Sequence, residues 1–222
     1  MKELRKITQE QLGEILHKHK LYLEGEGGER ADLSYVDLTG VDLTGADLTG
    51  ANLEGADLIG ADLKSADLIG ADLKGVDLGD AYLRRADLTS ANLTGANLTG
   101  ANLTGADLGY ANLEGANLKG AYLRDADLEG ADLGYANLRD ADLEGVDLEC
   151  ADLLGANLTN TILQDTIIPN DNKEYIKEEI KVLETNSMDF NKVFDVFKYV
   201  IDNKNVNEII ITEDKIEIKI NS

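Results

Sequence analysis

Tryptophan is absent from this chain, and its 222 residues include one cysteine, one proline and three phenylalanines. A single cysteine, Cys150, excludes an internal disulfide framework and fits a reducing, cytoplasmic setting. Aromatic residues make up only 5% of the chain, so its 43% apolar content must fill an interior without large rings. Such an interior needs many small aliphatic side chains in regular places. Positive charge is scarce as well: 21 Lys and Arg stand against 43 Asp and Glu, a net charge of −22. That balance argues against non-specific binding to nucleic acid or to an anionic membrane. It leaves room for a basic protein partner, or for one that normally grips DNA. No apolar run approaches the length of a membrane span, and the opening MKELRKITQE lacks an apolar signal core. Neither membrane association nor export is expected.

What is present is a repeat. From Ala31 to Asp165 the sequence runs in register with period five and no insertion, giving 27 units of the pattern A-(D/N)-L-x-x. Leu holds the third position in every unit, from Leu33 to Leu163. The second position is Asp or Asn except at Tyr82, Tyr122 and Ile162, and the fifth is mostly Gly. Period five suits neither an α-helix nor a continuous strand. The first three positions alternate small-apolar, polar, large-apolar, which is a strand pattern with Ala and Leu on one face. The last two positions carry turn residues. Each unit therefore reads as a short strand and a corner. A unit cannot bury its own apolar face, so stability must come from stacking.

Stretches such as ADLTGANLEGADLIGADLKSADLIGADLKG resemble the pentapeptide repeat family, and the resemblance covers residues 31–165. It implies an all-β solenoid, a right-handed quadrilateral β-helix in which four units of 20 residues close one coil. The 27 units then make about seven coils, stacked at strand spacing into a rod of roughly 33 Å.

The ends differ from the repeat. Residues 1–30 read as an N-terminal cap, with Thr8 and Gln11 as a capping box, Ile7 and Leu12 as a hydrophobic staple, and a helix over about 9–19. Leu21-Tyr22-Leu23-Glu24-Gly25 resembles a degenerate repeat, which would start the first coil before Ala31. Beyond Asp165 the pattern stops, and Pro169 cannot donate to a strand ladder. Residues 166–222 read as a helix–helix–hairpin module: helices over 173–184 and 189–202, then NEIIIT and KIEIKI as two strands. Phe190, Phe194, Phe197 and Ile201 would form its cap or dimer surface, since so short a segment has a marginal core of its own.

With four units per coil, every fourth unit falls on one wall. We number the walls by their first residue: Asp32, Asp37, Asp42 and Asp47 begin the first to fourth. The fourth wall carries Asp47, Asp67, Asp87, Asp107, Asp127 and Asp147, adds Glu129 and Glu149, and has no Lys or Arg. The third carries Tyr82 and Tyr122 with Lys64, Arg84, Arg85 and Arg124. An aspartate row costs energy, about 1 kcal/mol per neighbour at 5 Å even in water. Two readings compete. Asp and Asn both suit an exposed position that hydrogen-bonds nearby backbone, and charge keeps a rod soluble. Alternatively, the row imitates a phosphate backbone, as in family members that mimic DNA and bind DNA gyrase or another type II topoisomerase. This rod lacks the interrupting loops of gyrase-protecting members, and its C-terminal segment differs from their short dimerising helix.

No catalytic, metal or cofactor residue stands out. His17 and His19, two apart, do not share a helix face and read as ordinary cap residues. No histidine lies within the repeats to serve a Ser or Cys nucleophile. One carboxylate per coil supplies few ligands for calcium. The chain reads as a non-enzymatic binding or scaffold protein that presents acidic walls to an unidentified protein partner, with a homodimer through residues 173–222 as a further expectation.

Overall fold

The structure is a computed structural model that describes residues 3–167, 206–211 and 216–220. Its main body is a β-helix solenoid. Second-position residues pair in parallel with those 20 residues onward, from Asp32 with Asn52 to Asp147 with Ile167. Four units therefore complete one turn, as the resemblance implied.

One unit shows why this sequence winds that way. In residues 96–100, the Ala96 amide closes the corner on the Leu93 carbonyl at 2.9 Å. The Asn97 amide reaches back to Val76 of the preceding coil, while Leu98 and Gly100 donate forward to Asn117 and Lys119. Four of the five donors are thus used by backbone, and the fourth-position amide has no carbonyl to meet. The side chain two residues earlier serves it: the Thr99 amide donates to Asn97 Oδ1 at 3.2 Å.

All 24 Asp and Asn residues at the second position make this bond, at 2.8–3.3 Å. A shorter or longer side chain does not place an acceptor two residues onward so readily, which is why the position is confined to Asp and Asn. The fifth position sits third in a β-turn with φ near +60°, where glycine is unstrained. Inside, all 27 repeat leucines are buried, and the first-position Ala and Val line the same core.

The first coil has no coil before it, and three features from the N-terminus cover it. Strand β1 (Arg5–Lys6) pairs in parallel with β2 (Val36–Asp37). The Arg5 guanidinium donates to the carbonyls of Asp32 and Ser34, the second- and fourth-position acceptors that a preceding coil would otherwise engage. Helix α1 (Gln9–Leu23) begins at a capping box in which Thr8 Oγ1 accepts from the Gln11 amide and the Gln11 side chain accepts from Thr8. Leu12 enters the core, and Ile7, Ile15 and Leu16 pack against it.

The helix runs four residues past the expected end. Leu21–Leu23 form its last turn and not a degenerate repeat, because their carbonyls and those before them are consumed by helix-end bonds: Glu24 to Lys20, Glu26 to Leu21. The coil pairing accordingly starts at Asp32. Towards the C-terminus, β3 (Val206–Ile211) and β4 (Ile216–Ile220) pair antiparallel, with Ile209 opposite Ile218. The helices expected over 173–184 and 189–202 lie outside the described residues, as do Pro169, Phe190, Phe194, Phe197 and Ile201.

Candidate functional site

The rod offers walls rather than a cleft, so the candidate site is a surface. Its chemistry depends on what stacks on each wall.

On the second wall the ladder is neutralised as it climbs. Asn97 donates to Asp77 Oδ1 at 2.8 Å, Asn117 to Thr99 Oγ1 at 2.9 Å, and Asn137 to Asn117 Oδ1 at 3.0 Å. Asn52 and Asn92 do the same for Asp32 and Asp72 on the first wall. Each such bond couples neighbouring coils, and those to Asp32, Asp72 and Asp77 relieve a carboxylate.

The fourth wall has no such relief. Asp47, Asp67, Asp87, Asp107, Asp127 and Asp147 pair coil to coil in one unbroken column. Each Oδ1 is taken by the local turn bond, as at Asp107, where Gly109 donates at 2.9 Å. Hydroxyls add to two of these oxygens, Thr49 to Asp67 and Thr89 to Asp87. The Oδ2 oxygens of the column meet no donor among the described residues. Glu129 and Glu149 stand on the same wall in adjacent coils, both exposed. Tyr110 lies at its corner with φ +57° and donates from its hydroxyl to Glu129 Oε1 at 3.2 Å. That bond to a carboxylate raises the tyrosine's pKa. The column and both glutamates are thus brought onto one face.

Sequence reasoning missed three devices. Large corner residues lean over the next coil: a Cβ on Gly130 would lie 2.7 Å from the Tyr110 ring, and one on Gly155 would lie 2.6 Å from Tyr135. A bulky fifth position therefore requires glycine 20 residues later, a pairing visible in the sequence as Tyr35/Gly55, Tyr110/Gly130 and Tyr135/Gly155. Arg5 was the second, since nothing in its neighbourhood marks it as a surrogate for a coil.

The third was His19, fully buried between α1 and the first coil. Its Nδ1 accepts the Ala31 amide at 3.1 Å, its ring stacks on Tyr22, and its Nε2 is buried with no hydrogen-bond partner among the described residues. Burial holds its pKa below the usual histidine value, with Arg30 adding to the shift and Asp47 and Thr49 opposing it. Its spacing from Leu12 placed it on the inner helix face, and that was the available signal. Among the described residues no group of three or more His, Cys, Asp or Glu side chains could hold a metal ion. No described helix is long and apolar enough to cross a membrane.

The chain matches the model of the Pentapeptide repeats family in eight copies, over residues 29–64, 66–105, 101–134 and 136–168. Among solved structures it is similar to HetL from the cyanobacterium Nostoc sp. strain PCC 7120, a pentapeptide repeat protein involved in heterocyst differentiation regulation. The two share 40% identity over 64% of this chain and 74% of that one, with a TM-score of 0.34. A pentapeptide repeat protein of the Arabidopsis thaliana thylakoid lumen is 37% identical over 47% of this chain and 69% of its own, with a TM-score of 0.29. QnrB1, a plasmid-mediated fluoroquinolone resistance protein, is 20% identical over 65% of this chain and 89% of its own, with a TM-score of 0.33. No curated protein matches the chain.

Proposed function

The chain belongs to the pentapeptide repeat family, and from that premise we propose that it is a non-enzymatic binding protein whose fourth wall engages a basic surface on a protein partner. Pentapeptide repeat proteins are generally structural or binding proteins rather than enzymes. One observation carries the reading: six stacked aspartates whose second oxygens meet no donor among the described residues, on a wall without a cation. Asparagine makes the same turn bond and stacks with donors, as the second wall illustrates. Retaining six adjacent carboxylates costs repulsion that asparagine would remove.

In this proposal residues 1–30 cap about seven right-handed coils formed by residues 31–165. Residues 166–222 form a helix–helix–hairpin module that caps the far end or joins two copies through Phe190, Phe194, Phe197 and Ile201. The test replaces Asp87, Asp107 and Asp127 by Asn, which leaves every turn bond in place. The variant should fold as the parent does and lose a partner that the parent retains in a pull-down. Retention of every partner by the variant ends the proposal.

A second reading is supported by the spacing of the same column. Carboxylates at about 4.8 Å along a rod approach the 3.4 Å charge spacing of one DNA strand. The partner would then be a DNA-binding protein such as DNA gyrase or another type II topoisomerase. Purified gyrase should show altered supercoiling with the parent and none with the triple Asn variant. Unchanged supercoiling with the parent removes this reading and leaves the first intact.

A further inference from the structure

The second-position rule has 24 adherents and three exceptions, and all three exceptions, Tyr82, Tyr122 and Ile162, stand on the third wall. Neither a tyrosine nor an isoleucine can accept the fourth-position amide, so the amides of Arg84, Arg124 and Gln164 have no acceptor among the described residues. The wall gains no burial in return: Tyr82 is 47% exposed, Tyr122 54% and Ile162 45%. A position that forfeits a local hydrogen bond and turns apolar surface to water breaks two folding preferences at once, and such breaches mark functional surfaces.

The charge on this wall is also anomalous. Residues 31–165 contain seven Lys and Arg, and four of them, Lys64, Arg84, Arg85 and Arg124, lie here. Lys64 pairs with Asp62 at 2.8 Å and lies 5.1 Å from the centre of the Tyr82 ring. Arg124 is held by Asp142 and Glu144. Arg84 and Arg85 are exposed and make no ion pair among the described residues. They belong to the same repeat unit as Tyr82, in a molecule whose net charge is −22.

We propose that the middle of the third wall, where Lys64, Arg84, Arg85 and Arg124 stand against only Asp62 and Asp125 in the units from 61 to 125, is a second binding surface that takes an extended acidic polypeptide segment laid along the rod. Tyr82 and Tyr122 stand two coils apart, about 9.6 Å at strand spacing, close to the ~9.3 Å of one three-residue turn of an extended polyproline II chain, which returns to the same side. A segment in that conformation sets its tyrosine contacts three residues apart, with carboxylates between them reaching Arg84 and Arg85. Exposed aromatic and arginine side chains together are the usual anchors of such contacts. Nucleic acid is the weaker candidate, because the long-range field of the whole chain repels a polyanion of high charge density.

The test uses the full chain and a labelled ten-residue peptide alternating glutamate and threonine, followed by fluorescence anisotropy at low salt. The parent should bind saturably. The Tyr82→Asn/Tyr122→Asn variant restores the turn bond, so its thermal midpoint should hold or rise while peptide affinity falls roughly tenfold. Arg84→Thr/Arg85→Gly, which copies the residues one coil onward, should weaken the peptide by a similar factor. The Asp87, Asp107 and Asp127→Asn variant should bind it as well as the parent or better, which separates this wall from the fourth. Absence of saturable binding by the parent overturns the proposal. So does a fall in the midpoint on restoring Asn, which would make the tyrosines structural, or saturation by a labelled decathymidine in place of the peptide.

Discussion

Leu, Asp or Asn, and the corner residue each carry a separable part of the stability. Leu108 is fully buried in mid-rod, and replacing it by Ala should lower unfolding free energy by about 2–5 kcal/mol in denaturant titration. Asn97 serves both the Thr99 amide and the Asp77 carboxylate. Asn97→Ala should therefore cost about 1–2 kcal/mol although its side chain lies at the surface. The corner predicts a change of opposite sign. Cys150 is exposed and holds φ +60°, a conformation that costs a non-glycine residue about 1 kcal/mol. Cys150→Gly should raise stability by about that amount, and a lower midpoint would refute the strain argument. Leucine and Asx positions are legible in the sequence because their contacts repeat with the period. The corner tyrosines are legible only as turn residues, since the glycine each leans on lies 20 residues away.

At the scale of the element, the fourth wall responds to salt and helix α1 to pH. Asp107→Asn should raise the thermal midpoint at low ionic strength, and the gain should shrink as salt screens the column. Helix α1 depends on a neutral His19. Its Nδ1 accepts the Ala31 amide, so a proton there would face another proton. Its folded pKa lies below the unfolded value of about 6.5. The unfolded chain then binds the proton more readily, so the stability from His19 is present above about pH 6.5 and is lost as pH falls towards the folded pKa. Asp47 opposes this shift and Arg30 reinforces it. Protection of the Ala31 amide against hydrogen exchange should fall as pH drops below about 6.5 in the parent and not in a His19→Leu variant. The helix start could be read from Thr8 and Gln11. Its end could not, because Leu21-Tyr22-Leu23 alternates as a repeat would and only the stop at Glu24 and Gly25 decides for the helix.

Over the whole molecule, the solenoid presents an edge at its first coil, and β1, Arg5 and α1 engage it. Removing residues 2–30 should expose parallel strand edges and raise the mass seen by light scattering. The proposed C-terminal module makes a separate prediction. The full chain should scatter as a dimer and a 1–168 truncation as a monomer, and equal monomeric masses would end the dimer proposal.

The repeat by itself determined the interior and the strand-and-corner unit: a leucine every fifth residue must be buried by stacking, and Asp or Asn supplies the one amide acceptor that the backbone lacks, while the count of four units per coil came with the family resemblance. Those are local or periodic requirements, so one unit states them for all. Only the tertiary structure decided how the N-terminus meets the first coil, because Arg5 and His19 act on residues 27 and 12 positions away with no period to announce them. It likewise decided which oxygens of the acidic column stay without a donor and which corner leans on which glycine. These depend on contacts between coils, where residues 20 apart become neighbours.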